Sequence, residues 1–237
     1  MSRKIEPGAV QMSQGGPSAV DAFVRDVARL PATGTTGRGR ILFALDATAS
    51  REPTWDAATS QQGEMFMAAS ELGGIDVRLA FYRGFDEFKV SRWTSDGREL
   101  ARLMSSVRCL AGRTQIARLL RYAGEQKRES RLDAVVFVGD CCEEDADAVG
   151  HTAGELGLLG LPVFVFQEGN DRAASRLFPQ IAKLTRGAWC RFDRTSPEQL
   201  RRLLGAVAAY AAGGREALLK YGKDKTGPVA LLTGQIK

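Results

Sequence analysis

Short apolar runs alternate with longer amphipathic stretches along most of this chain, and that alternation constrains the fold more than any other feature. Residues 41–45 (ILFAL), 134–138 (AVVFV) and 162–166 (PVFVF) are compact runs with almost no polar interruption. Runs of this kind suit parallel strands buried on both faces, because a strand with one wet face shows a polar residue at every second position. Residues 76–83 and 188–192 read as two further strands, and residues 86–90, after the Gly84 turn, as a short antiparallel edge strand.

Between and after these runs, residues 53–72, 98–107, 114–127, 144–156, 173–184 and 197–210 read as helices. The last is introduced by TSPEQ, a hydroxyl residue before a proline, which suits a helix start. Strands alternating with helices need right-handed crossovers. The expected architecture is therefore α/β: a doubly wound, mostly parallel sheet with one short antiparallel edge strand and helices on both faces, Rossmann-like in plan. Ligands of such sheets bind at the carboxyl ends of the strands.

The chain has 237 residues, enough for one substantial α/β core plus terminal extensions. We expect an N-terminal arm over residues 1–39 with a short helix at 19–30, one domain over 40–212, and a basic tail over 213–237. No apolar run approaches a membrane span, and the opening MSRKIEPGAVQMSQGGP has no hydrophobic stretch of the kind an export signal needs, so a cytoplasmic protein is expected. Four cysteines and a single His151 show neither a CxxC pair nor zinc-ligand spacing, which points to reduced thiols. The adjacent Cys141 and Cys142 read as small apolar core filler. The net charge of +5 raises the question of nucleic acid, but the basic residues at 118–131 are interleaved with Glu125 and Glu129, as on a solvated helix face, and nucleic acid is not an expected partner.

The chemistry concentrates where the carboxyl edge of the sheet should lie. Asp46, Thr48 and Ser50 occur in LDATAS, Thr114 in AGRTQ and Asp140 in FVGDCC, and all five offer oxygen. Spacing by two aims the first three to one side of an extended chain, Thr114 is placed at a helix start, and Asp140 at the end of a neighbouring strand. Two carboxylates with hydroxyls, and no imidazole, suit Mg2+, with Mn2+ as a substitute. The acids that follow, Glu143, Glu144, Asp145 and Asp147, are read as complementing a helix dipole, and Arg113 as a solvated side chain.

Taken together, these residues resemble the metal-ion-dependent adhesion site of von Willebrand factor A-type (VWA) domains: Asp-x-Ser/Thr-x-Ser, then a later Thr and a later Asp. The resemblance covers about residues 40–210. It implies that Thr48 or Ser50, together with Thr114, contacts the metal through hydroxyls, while Asp46 and Asp140 bind directly or through water. It also implies an open position for a carboxylate, and hence a partner protein presenting Asp or Glu, in the setting of an ATP-driven chaperone or stress-response complex. Three positions depart from the pattern and point to reduced metal affinity: Thr48 where Ser is commoner, Arg113 beside Thr114, and Cys141 rather than Gly after Asp140.

The expected function is a metal-dependent protein–protein interaction module, not an enzyme. Two alternatives stand beside it: a metal-free scaffold of the same fold, and a Mg2+-dependent phosphotransfer hydrolase using Asp46 as nucleophile. The second lacks the additional acid such sites usually place close by, since position 48 is Thr. A phosphate-binding loop is not indicated: TGTTGRG precedes the first core strand, and no GxxxxGK[ST] occurs.

Overall fold

A computed structural model of the chain describes residues 38–52, 75–192, 205–211 and 213. Six strands form one sheet: β1 (Gly39–Asp46), β2 (Ile75–Arg83), β3 (Glu87–Val90), β4 (Ala134–Gly139), β5 (Val163–Glu168) and β6 (Ala188–Phe192). The helices are α1 (Gly97–Ser106), α2 (Ile116–Glu129), α3 (Ala146–Leu158), α4 (Arg172–Leu184) and α5, residues 205–211. The helices expected at 19–30 and 53–72, the first half of the closing helix and the basic tail lie outside the described residues.

Strand order is β3-β2-β1-β4-β5-β6, with every pairing parallel except β2 with β3. The sheet is thus built outward in one direction from β1 to β3, then restarts beside β1 and runs the other way. The reversal lies between β1 and β4, and the crevice at the carboxyl ends of such a pair is where α/β sheets place ligands.

Side-chain alternation explains why helices cover both faces. Ile41, Phe43 and Leu45 of β1 join Val136, Val138, Phe164 and Phe166 on one face, covered by Leu100 and Met104 of α1 and by Val207 and Tyr210 of α5. Leu42 and Ala44 join Val135, Phe137, Val163 and Val165 on the other, beneath α2, α3 and α4. Each fully buried phenylalanine, among them Phe43, Phe137, Phe164, Phe166 and Phe178, contributes about 1.5–3 kcal/mol by leaving water. The edge strand β3 is four residues long with an exposed Lys89, which blunts it against pairing with another chain.

Three helices start on an aspartate in extended or near-extended conformation: Asp96 accepts from Arg98 N–H, Asp145 from Ala148 N–H and Asp171 from Ala174 N–H. Helix α2 differs. Its first flanking residue, Gln115, makes no cap bond, and the backbone N–H groups of Ile116 and Ala117 donate instead to the carboxylate of Glu144, from the loop after β4. The helix therefore begins two residues after Thr114 rather than at it, leaving Thr114 in the preceding loop. Of the acids after Asp140, Asp145 caps its own helix, as the dipole reading requires, while Glu144 serves another.

Candidate metal centre

Leu45 of β1 pairs in register with Val138 of β4, so Asp46 and Asp140 leave adjoining strands one and two residues beyond that pair. The backbone then turns sharply, forming a short 3-10 turn at Ala49–Arg51. Asp46 is fully buried. Its Oδ1 accepts from Thr48 N–H at 2.8 Å and from the Thr48 hydroxyl at 2.6 Å, and its Oδ2 accepts from the Tyr82 hydroxyl at 3.0 Å.

Thr48 Oγ1 lies 3.1 Å from Ser50 Oγ. A hydroxyl has one proton, and that of Thr48 goes to Asp46, so the proton between the two hydroxyls is Ser50's. Thr48 keeps a second lone pair, and Ser50, which is exposed, in turn lies 3.8 Å from the Cys141 sulfur. Three residues spaced by two thus form one hydrogen-bonded chain of oxygen groups that ends beside Cys141.

Asp140 is buried, and its Oδ1 has no hydrogen-bond partner. A carboxylate oxygen of Asp46, one of Asp140 and the Cys141 sulfur all lie within 4.8 Å of one another. Burial raises the Asp46 carboxyl to about 6 despite the Thr48 hydrogen bonds and the nearby Arg51, and the Asp140 charge pushes in the same direction. Thr114 is buried as well, and its hydroxyl oxygen accepts from Glu143 N–H at 3.1 Å, tying it to the loop that carries Asp140. All five residues expected from sequence are therefore placed: four gather around the β1–β4 crevice, and Thr114 is linked to it through Glu143.

Several neighbours carry no signal in the sequence motif. Arg51 is fully buried beneath the turn; its Nη1 donates to the Asp46 main-chain oxygen at 2.6 Å, and its Nε and Nη2 reach Glu168 Oε2. Tyr82, at the end of β2, holds the inner face of Asp46. The two cysteines divide: Cys142 packs into the core as expected, whereas Cys141 is half-buried with its sulfur 3.8 Å from Ser50 Oγ. A polar residue closing an apolar strand, as Glu168 closes VFVFQE, was the available hint for the ion pair. Arg113 is exposed and His151, on α3, is exposed beside Glu155.

No protein-family model matches the sequence, and no curated protein does. Solved structures do match. A von Willebrand factor type A protein from Catenulispora acidiphila superposes with a TM-score of 0.59 at 15% identity, over 73% of this chain and 43% of its own. The SpRpn10 VWA domain superposes at 0.55 and 12% identity, over 74% of this chain and 98% of that domain. The chain carries a VWA-type fold. An aerotolerance-related membrane protein from Bacteroides fragilis shares it, at a TM-score of 0.53 and 17% identity over 68% and 95% of the two chains. The VWA-type chain spans less than half the length of the Catenulispora protein. Among its described residues, no helix is long and apolar enough to cross a membrane.

Identities this low speak to fold, so the fit of a cation to this VWA-type fold rests on its own side chains. They fit one. A buried acceptor without a partner costs about 1–3 kcal/mol, and two like charges in one crevice oppose each other; a divalent cation removes both penalties. Asp140, Thr48 and Ser50 have the lone pairs to hold it, with Asp46 behind them to fix the Thr48 hydroxyl and supply the second negative charge.

Proposed function

We propose that this chain is a protein-interaction module that holds Mg2+, or Mn2+ in its place, at Asp46, Thr48, Ser50, Thr114 and Asp140, and completes the ion's coordination with an Asp or Glu of a partner protein. The observation that carries this reading is the orphaned, buried Oδ1 of Asp140 beside a second carboxylate. A cation held largely by neutral hydroxyls and water retains attraction for an incoming anion, and a charge-assisted contact strengthens when water is excluded around it.

The surroundings favour a docking partner. Leu110, which is 51% exposed, bonds through its N–H to Ala47 and bridges Thr48, while Phe85, 79% exposed, extends from the turn after β2. Gly84 joins the two by donating its N–H to the Leu110 carbonyl. Exposed apolar residues beside a charged centre suit a partner that presents an acid flanked by apolar groups. Phosphotransfer by Asp46 suits the geometry less, because that carboxylate is fully buried with both oxygens already accepting hydrogen bonds. The domain limits 40–212, the cytosolic setting and a chaperone or stress-response partner remain part of this proposal.

Calorimetric titration of the full chain with Mg2+ tests it. Wild type is expected to bind one ion and Asp46→Ala to bind far more weakly. Equal affinity in the two would leave the metal-free scaffold. Once a partner is captured, chelator should release it and Mg2+ should restore it.

A further inference from the structure

The oxygen-only scheme leaves one side chain at the centre without a role. Cys141 follows Asp140 directly, and the backbone there sends the two adjacent thiols apart: Cys142 into the core, Cys141 toward the carboxylates. The Cys141 sulfur, a carboxylate oxygen of Asp46 and one of Asp140 lie mutually within 4.8 Å, and the sulfur is also 3.8 Å from the Ser50 hydroxyl. A thiol beside acids carries little alone. The further observation is on Asp140 itself: it is only 8% exposed, one of its carboxylate oxygens belongs to the cluster, and its Oδ1 has no hydrogen-bond partner.

We propose that Cys141 is itself a ligand of the cation, so that the centre presents two carboxylates and a thiolate and holds a thiophilic divalent ion, Zn2+, in preference to Mg2+. This rests on the reading that a cation binds at Asp46 and Asp140, and changes which ion it is and what holds it. Mg2+ takes oxygen ligands almost exclusively, whereas sulfur ligands select Zn2+ and its spectroscopic substitute Co2+. On binding, the S–H bond of Cys141 breaks heterolytically. The electron pair stays on sulfur and is donated to the metal, the proton leaves to solvent, and no group is oxidised or reduced.

The test uses the full-length chain, reduced and stripped of metal, titrated with Co2+ by absorption spectroscopy and with Zn2+ and Mg2+ by calorimetry. Wild type and Cys109→Ser, which controls for the other half-buried thiol, should show a sulfur-to-cobalt charge-transfer band in the near ultraviolet. Cys141→Ser should lack it, and Cys141→Ala, which removes sulfur without adding a hydroxyl, should repeat the loss. Zn2+ affinity should fall about tenfold or more in Cys141→Ser, while Mg2+ affinity changes by less than about twofold. Co2+ bound without that band, or a band that survives in both Cys141 variants, overturns the thiolate ligand; the Mg2+ titration of wild type against Asp46→Ala then shows whether the cation reading stands without it. Absence of binding by all three ions overturns both.

Discussion

Arg51 and Glu168, 117 positions apart in sequence, form an ion pair hidden from water, with Arg51 Nε and Nη2 each 2.9 Å from Glu168 Oε2. The pair fastens the turn after Asp46 to the end of β5, and Arg51 also bonds the Asp46 main chain. Removing one partner deletes charge-assisted hydrogen bonds at a site hidden from water, so Arg51→Met or Glu168→Leu alone should cost about 1.5–3 kcal/mol, and the two together less than the sum. Urea denaturation of the three variants measures this; single variants as stable as wild type would show that the pair does not hold the turn.

The Asp46 carboxyl titrates near 6, raised chiefly by burial from a usual 3.8. An acid raised on folding keeps its proton in the folded chain after the unfolded chain has released it. Stability therefore falls as pH rises from about 4 through 6, and the loss persists above that; its size is on the order of 3 kcal/mol. Glu87, held near 2 by Arg83 and then Lys89, acts in the opposite sense but below 4.5, outside most of this window. In chelator, wild type should lose stability relative to Asp46→Asn between pH 4.5 and 6.5 (about the span of that titration), and saturating Mg2+ should shrink the difference. Parallel pH profiles for the two proteins would contradict the assignment.

Thr114 contributes one visible bond, from Glu143 N–H, and Glu143 is exposed enough for water to replace it. Thr114→Ala should therefore change stability by no more than about 1 kcal/mol. If its hydroxyl is a ligand, Mg2+ affinity should fall about tenfold and Thr114→Ser should restore it. Calorimetry paired with circular dichroism separates the two effects.

Gly112 sits against the turn after β2 so closely that a Cβ there would lie 1.9 Å from the Gly84 carbonyl oxygen. Gly84 itself has φ +60 and bonds both Leu110 and Arg113 through its backbone. Gly112→Ala must push backbone against backbone, displacing the loop that leads to Thr114. We expect a loss of about 1–3 kcal/mol by thermal or chemical denaturation, accompanied by weaker Mg2+ binding. Unchanged stability would mean that the loop shifts freely.

The fold was legible because its signal is local and repeated. All-apolar runs such as ILFAL and AVVFV admit few alternatives to buried parallel strands, and each described strand and helix follows one of the expected segments. The positions of Asp46 and Asp140 followed from the same pattern, since one ends β1 and the other directly follows β4. Arg51, Tyr82 and Glu168 were not legible as neighbours of the centre: the Arg51–Glu168 and Tyr82–Asp46 contacts join residues far apart in sequence, and nothing local to Arg51 distinguishes a buried guanidinium from a solvated one. Both Cys141 and Cys142 read as core filler, but only Cys142 packs in the core; nothing local to DCC tells which of two adjacent thiols faces the crevice. The start of α2 was displaced for a similar reason, its cap coming from Glu144 rather than from its own flank.

That borrowed cap has a mechanical consequence. Glu144 holds the first two N–H groups of α2, and Thr114 holds Glu143, so the stretch containing Asp140 and the stretch containing Thr114 are riveted together at three points. Opposite them, Asp46, Thr48 and Ser50 are anchored to β5 through Arg51. The three loops are thus cross-linked rather than merely adjacent: the Thr114 stretch is tied to the Asp140 stretch through Glu143 and Glu144 and to the Thr48 stretch through Leu110, and the 14-residue α2 starts from that knot.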